Sequence, residues 1–311
     1  MATLISSQIV NKAEDLSAVI HKVNEHETPF YTSIAKTSAK NTYHEFLSRE
    51  LAPANKNNAA AEGADAGAAT ASLVDRKGNW TQIFTSVAQV SGTLENGIDP
   101  IGYSSEVSEQ KAVKTVEIKN DIEAAILSGN GSVGSGVRKL AGAEAWISTN
   151  ANHGAGGATP GFSNGLVGSV TDGTTRPLTE GMFLDLAEDL VKSGGKARNV
   201  MVPHGLKTAF AKFSGNADKY QVANKEGTIY NDVGVYVSPH GTFKVLSNSF
   251  MTETTVIAYD PSLWKVAELR KLTATPLAKT GDSERWQLLT ELTLACYNEK
   301  GNGKIADVTA A

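Results

Sequence analysis

One cysteine in 311 residues, Cys296, excludes an intramolecular disulfide and any multi-cysteine metal site. Proline is scarce as well, with 9 residues against 29 glycines, an imbalance that suits turns and extended segments better than a helical bundle. There is no basic excess. Lys and Arg number 29 against 33 Asp and Glu, and the net charge of −4 argues against a basic nucleic-acid-binding surface over the whole chain. No uncharged apolar run approaches the ~18 residues that a membrane span requires. The start, MATLISSQIVNKAEDLSAVI, lacks a basic segment followed by an apolar core, so no signal peptide is expected. With 41% hydrophobic and 20% charged residues the composition is that of a globular chain, which excludes wholesale disorder. The expectation is a soluble protein folded in a cytosol.

Catalytic signatures are also missing. GNGSVGSG lacks the Gly-Lys-Ser/Thr ending of a phosphate loop and follows a helical segment instead of a strand, so it reads as a connector. The six histidines, His21, His26, His44, His153, His204 and His240, show no metal spacing. His204 and His240 each lie between Pro and Gly, which is turn punctuation. No Gly-x-Ser-x-Gly elbow is present, and Cys296 in an alternating strand reads as a small buried hydrophobe. Neither a cofactor nor a metal is expected.

What is present is a distinctive order of elements. Met1 to Asn41 is polar, with Leu16, Val19, Ile20 and Val23 at helical spacing, followed by an apolar anchor of Phe30, Tyr31 and Ile34 around Pro29. A strand over Thr42 to Leu51 and another over Trp80 to Val87, opened by Gly78-Asn79, flank a middle rich in Ala, Asn and Gly. With almost nothing to bury, this arm is expected to project and to pack on something else. Ser104 to Leu127 is the clearest helix, with Ile118, Ile122, Ala125 and Ile126 as its apolar stripe and Lys111, Lys114, Glu117, Lys119 and Asp121 in water. The span from Gly142 to Arg176 is mostly turn chemistry.

An α/β region comes next. A helix carries Phe183, Leu186, Ala187 and Leu190, and NVMV at Asn199 to Val202 is a short buried strand. A second helix carries Leu206, Ala209, Phe210 and Phe213. Val233, Val235 and Val237 are set against Phe243 and Val245 across a turn, and TVIAY is a further strand. The chain closes with a strand from Arg285 to Tyr297. There Trp286, Leu288, Leu292, Leu294 and Cys296 share one face, and Gln287, Glu291 and Thr293 occupy the other.

This order resembles the major capsid proteins of tailed bacteriophages, an α+β fold named after a lambda-like coliphage and shared with herpesviruses and encapsulins. The phrases DLSAVIHKVNEHETPFYTSIAKTSAKNTYHEF, AEGADA, NWTQIF and AGAEAWISTN sharpen the likeness by occurring together and in order. The resemblance implies an N-terminal arm (1–41), an extended β-hairpin loop (42–92) and a peripheral domain (93–178) with a long spine helix. It further implies an α/β axial domain (179–268) and a closing β segment of the peripheral domain (269–311).

In those terms the protein is a structural, non-enzymatic capsid protein. It assembles with copies of itself as pentamers and hexamers into an icosahedral head around double-stranded DNA, which it contacts non-specifically. It is located in the virion after assembly in the host cytoplasm. A portal, a separate scaffolding protein and a possible decoration protein are the implied partners, and no membrane is involved. Inter-subunit contacts are expected at Phe30, Tyr31, Lys56, Asn57, Glu62, Asp65 and Arg76. The type member crosslinks a Lys to an Asn of a neighbour, but no local motif supports that chemistry at Lys56 and Asn57. Two other readings stand beside this one: an encapsulin-like cage storing cargo enzyme, and an α/β enzyme using His204 and His240.

Overall fold

A computed structural model describes residues 26–67, 71, 73–97, 104–213 and 234–310. The expected helix at Leu16 to Val23 and the strand position Val233 lie outside these residues.

The helices are α1 (Pro29–Ser33), α2 (Gly92–Gly97), α3 (Glu106–Leu127), α4 (Ala143–Trp146), α5 (Glu180–Lys192) and α6 (His204–Lys212). The first strands are β1 (Ala35–Ser38), β2 (Tyr43–Arg49), β3 (Val74–Trp80), β4 (Gln82–Ser91), β5 (Ala151–Asn152), β6 (Phe162–Ser163), β7 (Leu166–Val167) and β8 (Arg176–Pro177). The later ones are β9 (Asn199–Val202), β10 (Val235–Ser238), β11 (Gly241–Ser247), β12 (Val256–Tyr259), β13 (Trp264–Pro276), β14 (Ser283–Cys296), β15 (Gly303–Ile305) and β16 (Val308–Thr309). They form a four-stranded sheet, β1-β13-β14-β4, a six-stranded sheet, β10-β11-β9-β12-β15-β5, and three two-stranded sheets.

The chain divides into two compact units. The first comprises, of the described residues, those within Thr85–Glu117 and Thr273–Leu288. In it Glu95 accepts from the Ser105 hydroxyl (2.7 Å) and the Val107 amide (3.0 Å), which supplies a partner at the start of α3. Lys111 lies 3.1 Å over the Trp286 ring.

The second unit comprises those within His26–Phe84, Ile118–Leu272 and Leu289–Ala311. Its six-stranded sheet forms where the sequence alternates short apolar runs with helices. Thr179 caps α5 by accepting from the Met182 amide, and Phe183, Leu186, Ala187 and Leu190 form the buried stripe one helical turn apart. Gly194, at φ +73°, ends the helix as only glycine does without strain. Against this stripe pack Val200 and Val202 of β9, Leu206 and Phe210 of α6, and Phe243 and Val245 of β11. Phe183 touches Phe210, Tyr236 and Phe243, each ring 5.2 Å away.

Three expectations are corrected here. The strand returning along β2 is β3, not the Trp80–Val87 stretch: Tyr43 pairs with Trp80 and Arg49 with Val74. Gly78-Asn79 therefore lies inside a strand instead of opening one. Gly78 is required there because a Cβ would sit 2.6 Å from the Tyr43 ring, and Asn79 is buried because the core supplies all its partners. In β10 the core-facing residue is Tyr236, since the register sets it against Phe243, while Val235 opposes Lys244 and is 38% exposed. On β14 the face that carries Glu291 and Thr293 is buried along with the apolar one from Thr290 to Cys296. The long helix begins at Glu106, two residues after the expected start, and Ile118, Ile122 and Ile126 are buried as the stripe requires.

Candidate functional site

The β2–β3 hairpin has a fastened root and a bare outer half. At the root Phe46 is buried between Trp146 and Tyr297, with ring centroids 5.8 and 5.2 Å away. The Tyr43 hydroxyl donates to the Gly165 carbonyl at 2.8 Å. Asn79 is fully satisfied in the interior: its amide donates to the carbonyls of Ala141 (3.1 Å) and Leu294 (2.8 Å), and its oxygen accepts from the Ala141 amide (2.9 Å).

Beyond Phe46 the chemistry changes. Leu47, Leu51, Leu73 and Val74 are exposed by 68, 84, 83 and 44%. Every described residue from Glu50 to Gly67, with Ala71 and Leu73, is exposed. Four large aliphatic side chains gathered in one hairpin are more than the scattered exposure of an ordinary surface. An open groove of about 420 Å³ at the hairpin includes Arg49, Glu50, Asp75, Lys77, Tyr297 and Lys300 in its wall, and Lys300 pairs with Glu50 across it.

Of the residues expected to contact a neighbour, Lys56, Asn57, Glu62, Asp65 and Arg76 are all exposed on this hairpin. Arg76 is ion-paired to Glu45 on the opposite strand, and the Asn57 amide donates to the Asn55 side chain at 3.0 Å. Tyr31 is half-buried, and Lys36 donates to its hydroxyl at 2.7 Å. Phe30 leaves the group: it is 0% exposed, packed against Tyr259 and Trp264 of its own chain.

What fastens Phe30 is a residue the sequence did not mark. Glu123 of α3, itself 0% exposed, accepts from the amides of Phe30 (2.8 Å) and Tyr31 (2.7 Å) and from the Asn248 side chain (2.6 Å). It thereby caps α1, whose first amides have no partner within the helix. Burial pushes the Glu123 carboxyl above its ordinary range, against the pull of those three donors.

Glu291 does comparable work in the sheet. Burial would raise its carboxyl, but bonds from Thr81 (2.7 Å) and Arg270 (2.8 Å) and the Arg138 charge (2.6 Å) hold it below the usual range. Glu291 carried a signal, as a lone acid in the apolar run LLTELTLAC, where an unpaired carboxylate is not tolerated; Glu123, two residues after Asp121, carried none.

A third buried group is Lys304 of β15, 0% exposed, whose ammonium donates to the Glu144 carbonyl at 2.8 Å. Burial pulls its pKa down to about 8, against the attraction of Glu144, Asp307 and Asp172. An amine depressed in the fold binds its proton more tightly when unfolded, so stability gained from this site rises with pH between about 8 and its ordinary 10.5. The unfolding free energy of the wild-type subunit, less that of Lys304→Met, is therefore expected to increase by about 3 kcal/mol over that window. Denaturant titrations of the two proteins at several pH values measure it. A difference that shrinks as pH rises contradicts the assignment.

His204 and His240 do not join in a site. His204 is exposed and shares a hydrogen bond with Ser249 (2.9 Å), while the backbone amide of His240, in the β10–β11 turn, donates to the Ser238 hydroxyl (3.2 Å). Among the described residues no group of three or more His, Cys, Asp or Glu could hold a metal, and no helix is long and apolar enough to cross a membrane. Cys296 is buried, and burial raises its thiol well above the ordinary value.

Comparison with known proteins bears on this arrangement. A family model described as SU10 major capsid protein matches residues 3–309. The major capsid protein of Escherichia phage Phieco32 is 28% identical over 321 residues, covering 91% of each chain. Among solved structures, a chain of Mycobacterium phage Bobi superposes with a TM-score of 0.61 at 13% identity over 100% of both chains. A chain of the Cyanophage A-1(L) capsid asymmetric unit gives 0.62 at 12% identity over 98% of both. One from the capsid of a native GTA particle gives 0.61 at 15% identity, over 97% of this chain and 96% of that one. At such identities the structures establish the fold.

Proposed function

This chain belongs to the SU10 major capsid protein family and is a major capsid protein of a tailed phage, and we propose that its hairpin closes the shell by packing on neighbouring copies. The observation that carries this reading is the contrast along one hairpin. Its root is buried on its own subunit through Phe46 and Asn79, whereas Leu47, Leu51, Leu73 and Val74 stay 44 to 84% exposed. Each such side chain gains about 1.5–3 kcal/mol when buried. Repeated around a closed lattice, that gain favours association, against the entropy lost on docking. Lys56, Asn57, Glu62, Asp65 and Arg76 on the same hairpin supply polar rim contacts, with Tyr31 a further candidate beside α1.

In this account residues 1–41 form the arm, 42–92 the extended loop, 93–178 and 269–311 the peripheral domain, and 179–268 the axial domain. The aromatic centre of the six-stranded sheet, with Phe183 in its midst, supports the last of these as a packed body, to whose core Ile305 and Val308 of the closing segment also contribute. Copies meet as pentamers and hexamers in an icosahedral head, assembled in the host cytoplasm with a portal and a separate scaffolding protein. A decoration protein is compatible with such a shell. Double-stranded DNA fills the head and is contacted without sequence preference, and the chain performs no catalysis.

The test is electron microscopy and content analysis of the purified protein. Closed isometric particles holding DNA of one length are expected. Particles filled with a cargo protein, or a monomer or dimer under every condition, would refute the reading.

A further inference from the structure

The turn between β6 and β7 stands against the root of the long hairpin. Asn164 and Gly165 both take the left-handed backbone, φ 51° and 80°, that a two-residue hairpin turn requires. Its base is fastened on both arms. Val167 is buried, its amide donates to the Ser132 hydroxyl (2.8 Å) and its carbonyl accepts from the Ser132 amide (2.9 Å). Phe162 is stacked on Trp146, 5.8 Å away with the rings 3° from parallel, and Trp146 in turn meets Phe46. The register of β2 on β3 sets Phe46 and Asn79 on one face of the long hairpin, and Tyr43, Trp80, Leu47 and Arg76 on the other. The first face is held by the body of the subunit. The β6–β7 turn reaches the second, where the Gly165 carbonyl accepts from the Tyr43 hydroxyl at 2.8 Å. The Tyr43 ring fills the space there: it lies 4.9 Å from the Trp80 ring, and a Cβ on Gly78 would meet it at 2.6 Å.

We propose that the β6–β7 turn is a brace that fixes the direction in which the β2–β3 hairpin leaves the subunit, with Tyr43 as the positioning residue through which it acts. The inference rests on the reading that this hairpin packs on neighbouring copies. A two-stranded ribbon has no third strand to stiffen it and twists freely about its root. Held on one face alone, through Phe46 and Asn79, the hairpin could still swing away from the body. Held on both, it cannot tilt either way without losing a contact. The leverage is long: Tyr43 and Arg49 are the two ends of β2, about 20 Å apart along the strand. A small rotation at the root therefore carries Leu47 and Val74 well off their place on a neighbour. A closed shell repeats a few contact geometries, so an unbraced hairpin binds over a range of angles and loses the uniform size of the product.

Cys296 is buried, so introduced cysteines take a spin label selectively. Labels at Arg49→Cys, the outer end of β2, and Thr242→Cys, on the exposed side of β11, report the direction of the hairpin as a distance distribution in unassembled subunits. Two variants release the brace. Tyr43→Phe removes the hydroxyl and keeps the ring, and two glycines inserted between Asn164 and Gly165 carry the carbonyl out of reach. Both are expected to broaden the distribution, the insertion more strongly, with circular dichroism unchanged, and to yield shells of mixed size in place of one. A distribution equally wide in the wild type and the insertion variant overturns the proposal, even if the unfolding midpoint falls, because the contact is then structural without directing the hairpin. Broadening in the insertion variant but not in Tyr43→Phe overturns the role given to the Tyr43 hydroxyl. Broadening in both, with shells of wild-type size and yield, upholds the brace and counts instead against the packing of the hairpin on neighbouring copies.

Discussion

Glu123→Ala is expected to lower the stability of the subunit by about 3–5 kcal/mol, because it takes the carboxylate away from three donors that converge on it. The amides of Phe30 and Tyr31 and the side chain of Asn248 converge on it from two separate parts of the chain, the Phe30 and Asn248 bonds buried and that of Tyr31 partly so. Removing the acceptor leaves each donor with its full desolvation cost. Phe30 then loses the bonds that hold it against Tyr259 and Trp264. Glu123→Gln should be milder, keeping one acceptor oxygen but presenting an amide to a backbone amide on the other side. Denaturant unfolding of unassembled subunits measures the loss, and hydrogen exchange of residues 29–38 shows whether it begins at α1 and β1. A loss below about 1 kcal/mol, or exchange unchanged there, means that the segment is held by packing alone.

The same junction shows where sequence reasoning works and where it stops. The stripe of Ile118, Ile122 and Ile126 was legible because helical period and burial are the same geometric fact. So were α5, β9 and α6, where strong local preference and tertiary packing agree. The return strand of the hairpin was placed too late because Val74–Trp80, with Asp75, Arg76, Lys77 and Gly78, has a polar and glycine-broken sequence. Its strand character comes from pairing with β2, which is a long-range property. Glu291 and Thr293 were separated from Leu292 and Leu294 by alternation, which says nothing of what covers each face. Both faces are buried from Thr290 to Cys296, so alternation there divides two covered faces and not a dry one from a wet one. Glu123 and Lys304 were invisible as sites, since what defines each is its set of partners: Phe30 and Asn248 for the one, Glu144 for the other. Phe30 was taken for a contact with a neighbour because an apolar anchor in an arm has the same sequence whether its pocket lies in its own chain or another.

The outer half of the hairpin should be dispensable for folding and necessary for assembly. Replacing residues 50–73 by Asn-Gly joins Arg49 to Val74, which the register already pairs, through the two-residue turn that such a hairpin favours. All root contacts remain: Phe46 on Trp146 and Tyr297, Tyr43 on Gly165, and Asn79 in the interior. What is removed is Leu51, Leu73 and the exposed polar tip, together with the Glu50–Lys300 ion pair, a surface pair of small value. The measurement is made on one preparation: circular dichroism and unfolding midpoint of the subunit, with the yield and melting temperature of shells by sedimentation and electron microscopy. A subunit as stable as the wild type that forms few shells, or shells that fall apart at a clearly lower temperature, is the predicted result. Shells of wild-type yield and melting temperature, or a subunit that no longer folds, would contradict the claim that this hairpin serves the neighbouring copy instead of its own core.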